Sequence, residues 1–165
     1  MRIPAWTILI VGAAFAAPLP GPSGPGAVQA AVACSAPTGA EIATISDNIN
    51  HQRQGNGLSP VRLHPALAQA AAQQACDMAQ RGRMSHAGRG GVGARVRAAG
   101  YSASVTAENI AAGQMDARAA ISAWIRSPAH RANILNRRVR DIGVAQAVGA
   151  DGRTRYWSLV LAAPR

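Results

Sequence analysis

Lysine is absent from this chain of 165 residues, so all 17 basic side chains are arginine. Acidic residues are scarce too, 7 in all, and the formal net charge is +10. The missing lysine reads as a GC-rich coding bias that favours Ala, Gly and Arg together. The excess charge still predicts attraction to anionic surfaces such as nucleic acid, lipopolysaccharide or acidic lipid. It does not predict specific nucleic-acid recognition, which wants arginine interleaved with exposed aromatics or a reading helix. The densest cluster, Arg137-Arg138-Val139-Arg140, has neither. Aromatics make up only 4% of the chain, so small side chains must do much of the packing and elements must approach closely. No apolar run reaches the ~18 residues of a membrane-spanning helix. There is no Gly-x-Ser-x-Gly and no His-Glu-x-x-His, and the Gly-rich loop from Gly88 to Gly93 lacks a P-loop Lys and a preceding strand. Nucleophilic catalysis, a zincin helix and phosphate cradling are thereby disfavoured.

With 48% hydrophobic residues the chain can build a core, and its length suits one domain. Arg2 followed by the apolar stretch Ile3 to Ala17 reads as an export signal over residues 1–17, a retained anchor being the alternative. A Pro/Gly/Ala-rich linker follows over 18–38, and a folded domain over 39–165. Both Ala14-Phe15-Ala16 and Ala31-Val32-Ala33 have the small-x-small form of a cleavage site, and the second, just before Cys34, also resembles a weak lipoprotein box. Export to the periplasm or the extracellular space makes a single disulfide the natural pairing for Cys34 and Cys76. Two unpaired thiols, or a lipid on Cys34, are the other readings.

Periodicity lays out the domain. Ile42, Ile45 and Ile49 form one stripe of a helix from Ala40 to about Gln54. Leu63 is expected to plug the core. A second helix runs from Pro65 to about Arg81, with Leu67, Ala71, Ala75 and Met78 inward and Gly82 as its stop. A short helix spans about Val92 to Ala99, Thr106 to Ala111 is β-like, and Asp116 caps a helix to about Arg126 with Trp124 inward. Ile142–Val148 and Arg155–Leu161 read as a hairpin. Trp157, Leu159 and Leu161 share one face of its second strand, Tyr156 and Val160 the other. A sheet apolar on both faces must be covered twice, which predicts an α/β fold: a three-layer α/β/α sandwich around a small, mainly antiparallel sheet. His51 and His64 are read as surface residues.

The densest local pattern is Ser127-Pro-Ala-His130-Arg-Ala-Asn133-Ile-Leu135. Pro128 suits the first position of a helix and Ser127 its N-cap. His130 then lies in the first turn, where the helix dipole disfavours the imidazolium. Asn133 reads as a helix-turn hydrogen bonder. Glu108 is one of two glutamates in the chain and sits in an apolar segment, so it needs a metal, an Arg, a His or backbone N–H groups as partner.

Together with Gly57-Leu58-Ser59-Pro60, Asp77-Met78-Ala79, Met84-Ser85-His86, Ala99-Gly100-Tyr101, Glu108-Asn109-Ile110, Trp124, Ile142-Gly143-Val144 and Tyr156-Trp157, that pattern resembles the bacterial branch of the CAP superfamily. This SCP domain is shared by cysteine-rich secretory proteins, antigen 5 and plant pathogenesis-related 1 proteins. The resemblance covers roughly residues 41 to 163. It implies an α/β/α sandwich with a central cleft in which two His and two acidic residues can hold a divalent metal such as zinc. His86 matches the first His, Glu108 the Glu of Glu-Asn-Ile, and His130 the His of Ser-Pro-x-His-Arg. The second His, in the last strand, is replaced, with Tyr156 its nearest counterpart.

Two readings of the His86, Glu108 and His130 set stand side by side. Two His and a carboxylate suit Zn²⁺ with water in the fourth place; alternatively the three form a hydrogen-bond cluster without metal. Three functions follow. The first is an exported, non-enzymatic monomer that binds a small ligand, a lipid for example, or an envelope or host partner in its cleft, with or without a divalent metal held there. The second is a metal-dependent, peptidase-like hydrolase with Glu108 as base. The third is a basic module adhering to anionic envelope polymers.

Overall fold

The computed structural model describes Cys34 and residues 36–165; the expected leader over 1–17 and most of the linker lie outside the described residues. The chain runs α1 (Gly39–Gln54), β1 (Arg62–Leu63), α2 (Pro65–Arg81), a 3₁₀ turn (Gly88–Gly90), α3 (Gly91–Ala98), β2 (Ala103–Ala112), α4 (Ala117–Arg126), α5 (Pro128–Ile134), β3 (Asp141–Val148) and β4 (Arg155–Pro164). The strands form one sheet in the order β1-β3-β4-β2. β1 is parallel to β3, and the two long pairings, β3 with β4 and β2 with β4, are antiparallel.

Alternation along β4 sorts the core into two layers, as the two-residue period of a strand requires. Trp157, Leu159 and Leu161 meet Ile45 and Ile49 of α1, Trp124 of α4 and Ile134 of α5. Tyr156, Val160 and Ala162 meet the alanine-rich face of α2, Val96 of α3 and Tyr101. The sandwich has three layers, with α1, α4 and α5 on one face and α2 and α3 on the other.

Small residues set the spacing of the second layer. A Cβ added at Gly143 of β3 would lie 2.0 Å from the Leu67 carbonyl carbon and 2.1 Å from the Ala68 nitrogen. The backbone of α2 therefore rests directly on the strand, and only glycine leaves room for it. On the opposite layer the buried Arg53, at the end of α1, donates to the carbonyls of Ser59, Ile134, Asn136 and Val139 at 2.8, 2.8, 3.0 and 3.2 Å. It ties α1 to the segment between α5 and β3.

Helix starts are chemically defined. Thr38 and Glu41 form a capping box on α1, and the Asp116 side chain accepts from Ala119 N–H at 2.8 Å. Two local expectations give way. Leu63 is 51% exposed; β1 is a two-residue edge strand, and Val61, just before it, is the buried residue instead. His64 is not a plain surface residue, because its Nδ1 accepts from Ala66 N–H at 3.2 Å and caps α2. Cys34 and Cys76 are joined in a disulfide, which fastens the segment before α1 to the outer side of α2.

Candidate functional site

Glu108 lies near the middle of β2, on the face turned toward α2 and α3, and its side chain is only 2% exposed. Its Oε2 accepts from His86 Nδ1 at 2.9 Å. A carboxylate can only accept, so Nδ1 carries the proton and a neutral His86 presents Nε2 as its acceptor. The ring is 59% exposed, so the imidazole is open to solvent.

The other carboxylate oxygen is taken from below. Arg95 of α3, with a side chain 0% exposed, donates from Nη2 to Glu108 Oε1 at 2.5 Å, and its Nη1 donates to the Gly88 carbonyl. Ser158 Oγ of β4 lies 3.5 Å from the same Oε1. Arg95 is the residue that sequence reasoning missed. Val92 and Val96 stand four apart in α3, which places Arg95 on their inward face; that position, together with the need of Glu108 for a partner, was the available signal.

His130 is carried by α5, which two asparagines moor to β2. Asn109 Nδ2 donates to the His130 carbonyl at 3.0 Å, and Asn133 Nδ2 donates to Asn109 Oδ1 at 2.8 Å and to the Glu108 carbonyl at 3.4 Å. Asn133, read from the sequence as a helix-turn hydrogen bonder, bonds across to the strand instead. Burial first, and then the neighbouring His86 charge, hold the His130 imidazole below the usual histidine value. The direction matches the sequence reading, and its largest cause is desolvation. Ser127 has the extended backbone of an N-cap, and its carbonyl accepts from Arg131 N–H at 2.8 Å, yet its side chain makes no capping bond. It also ends α4, and so acts as a one-residue joint between two helices. Pro128 opens α5 as expected, and Trp124 is core, its Nε1 donating to the Ile110 carbonyl at 3.1 Å.

The sequence order, the three-layer fold and this His–Glu cleft converge on one assignment, and the profile of the cysteine-rich secretory protein family (CAP) matches residues 46–161. The chain belongs to that family. It is 33% identical over 97 residues to the uncharacterized protein YkwD of Bacillus subtilis (strain 168), a match covering 58% of this chain and 38% of YkwD. The fold is also that of an outer surface protein from Borrelia burgdorferi, at TM-score 0.70 and 18% identity, covering 78% of this chain and 96% of that one. An extracellular protein containing an SCP domain from Bacillus anthracis str. Ames superimposes with TM-score 0.68 at 25% identity, covering 75% of this chain and 40% of that chain.

In this CAP domain the expected donors do not all converge. His86 and Glu108 are bonded, and His130 is close enough to His86 for their charges to interact. Tyr156 is buried in the alanine-rich core with Ala145, Ala147 and Val160; the β4 side chain that reaches Glu108 is Ser158. Among the described residues no three His, Cys, Asp or Glu side chains are grouped as a metal site. Both Glu108 oxygens are already engaged, leaving His86 Nε2 and the His130 ring, one short of the three protein ligands that catalytic zinc uses. The residues present do not fit a tightly held divalent metal. Among the described residues no helix is long and apolar enough to cross a membrane.

Proposed function

We propose that this chain is an exported CAP-domain protein that works as a monomer and binds a ligand or partner at the His86/His130 cleft without catalysing a reaction. The observation that carries the reading is the pairing of Glu108 with Arg95. A carboxylate held at 2.5 Å by a fully buried guanidinium is a poor general base, since taking up a proton would strand the arginine charge in a low-dielectric site. A metal there would bring a second cation beside the buried Arg95 guanidinium, which disfavours Glu108 as a ligand. Glu108 then orients His86, and the cleft offers two imidazoles as hydrogen-bonding groups to a small molecule, a lipid headgroup or an envelope or host protein. The disulfide supports export, because such bonds persist in oxidising compartments.

Calorimetric titration of the full domain with Zn²⁺, beside a His86→Ala/His130→Ala double variant, tests the reading together with digestion of a peptide library in added Zn²⁺. We expect equally weak heats from both proteins and no cleavage. Metal-dependent cleavage lost in the double variant overturns the non-catalytic reading, and a stoichiometric isotherm lost in that variant overturns the metal-free cleft.

A further inference from the structure

The free edge of the sheet is protected along only part of its length. β2 is an outer strand, bonded to β4 on one side. Its outward-facing groups follow from the next ladder. The Ala162 carbonyl accepts from Arg140 N–H, on the β3 side of β4, and the N–H and C=O of one strand residue point the same way. Thr106, opposite Ala162, therefore directs both of its backbone groups to the open edge, as do Glu108 and Ile110. The latter two carbonyls are closed off by Asn133 Nδ2 at 3.4 Å and Trp124 Nε1 at 3.1 Å. No described residue bonds the N–H or C=O of Thr106.

At that point the edge opens into a groove of about 400 Å³ between α3 and the end of the chain, flanked by the exposed Arg97 and Arg165. Arg165 is fixed there: its backbone N–H donates to the Ser102 carbonyl at 3.0 Å and its Nε to the Ala103 carbonyl at 3.1 Å. Among the described residues the terminal nitrogens of Arg165 and the guanidinium of Arg97 have no partner.

We propose that this open half-edge is a docking site for an extended acidic peptide of another protein, which adds as a short strand beside Ser104–Thr106 and places a carboxylate between Arg97 and Arg165. Strand addition uses main-chain bonds for affinity and flanking side chains for selectivity, and the groove offers both. A small anion would satisfy the arginines but leave the Thr106 donor–acceptor pair unused. Residues 1–33 contain no Asp or Glu, so the chain's own N-terminal sequence lacks the complementary charge. A second copy, at +10, brings like charge to like. The groove is separate from the His86 cleft but built on the same elements, since Arg97 follows Arg95 on α3 and Thr106 precedes Glu108 on β2.

The test is fluorescence anisotropy of the full domain with a labelled peptide of alternating Glu and Val, at ~0.15 M salt to screen non-specific attraction. Two companions accompany it: an equally charged peptide with its central Val replaced by Pro, and the Lys-for-Glu counterpart. Thr106→Pro removes only an outward N–H and leaves the β2–β4 ladder intact; an Arg97→Glu/Arg165→Glu variant reverses the charge. Each of these four changes is expected to weaken binding about tenfold or more. Hydrogen exchange on the unmodified protein, in which the peptide protects the Thr106 amide, keeps the test decisive if Thr106→Pro misfolds. The proposal is overturned if the Pro-containing peptide binds equally well, which marks a merely anionic-polymer surface. An unprotected Thr106 amide, or no binding of the Glu–Val peptide, overturns it as well; the arginines then only guard the edge against self-association.

Discussion

Glu108 and Arg95 bury opposite charges, with side chains 2% and 0% exposed, and their energetics are asymmetric. Removing one charge strands the other in low dielectric, which costs about 3–5 kcal/mol, whereas replacing both by neutral groups of similar volume is close to neutral. Glu108→Gln should therefore destabilise the domain by about that amount, and Glu108→Gln/Arg95→Met should recover most of the loss. Urea unfolding of the two single variants and the double variant measures the coupling. Additive losses would show that the pair is not the unit described. His130 gives a second prediction. Its imidazole is held below the usual histidine value by burial, so as pH falls below ~6.5 the unfolded chain binds a proton that the native ring still refuses. Stability conferred by His130 is full above that pH and declines as pH falls toward the native-state value. Unfolding free energies measured from pH 7.5 to 5 should lose part of their slope in His130→Gln; an unchanged slope would contradict a depressed pKa.

At the scale of elements, the contact of α2 with β3 is the most exacting in the fold. Gly143→Ala places a methyl about 2 Å from the α2 backbone, which no rotamer relieves, so helix and strand must separate. Overpacking of this kind typically costs about 1–3 kcal/mol, and a clash with backbone belongs at or above the upper end; thermal unfolding would register it, and an unshifted Tm would refute the close approach. The same contact bears on what the sequence could disclose. The alanine stripe of α2 and the two apolar faces of β4 were legible because burial repeats with the period of the element. The length of β2 was not, since Ala103 and Ser104 carry no strand propensity and owe their place to pairing with the end of β4. Leu63 misled because apolar character says nothing about which side of an edge strand it falls on. At the site, Glu108 and His86 were recognisable from motif and chemistry. Arg95 and Arg53 were not, because arginine is ordinarily a surface residue and only the folded chain shows the carboxylate or carbonyls awaiting it. Ser158 reaches Glu108 through strand register, which one residue of slippage would reverse.

For the whole molecule, the two core layers lie on opposite faces of the sheet, and the segment before α1 touches the second layer through the Cys34–Cys76 bond. That bond closes a loop containing α1, β1 and most of α2, with a sequence separation of 42. In the chain-entropy description, such a loop restricts the unfolded ensemble by about 4 kcal/mol. The native core does not depend on it: Ile45 and Ile49 pack on the sheet from one side and Leu67 and Met78 lie in the layer on the other. A Cys34→Ser/Cys76→Ser variant should thus keep the fold and the His86–Glu108 geometry while losing stability. The loss should be confined to the unfolding midpoint, with the native spectrum of the cleft imidazoles unchanged. Reductant should reproduce the shift in the parent protein and do nothing to the variant. If the variant instead loses its native imidazole resonances, then the disulfide organises the α2 layer and the cleft resting on it, beyond restricting the unfolded chain.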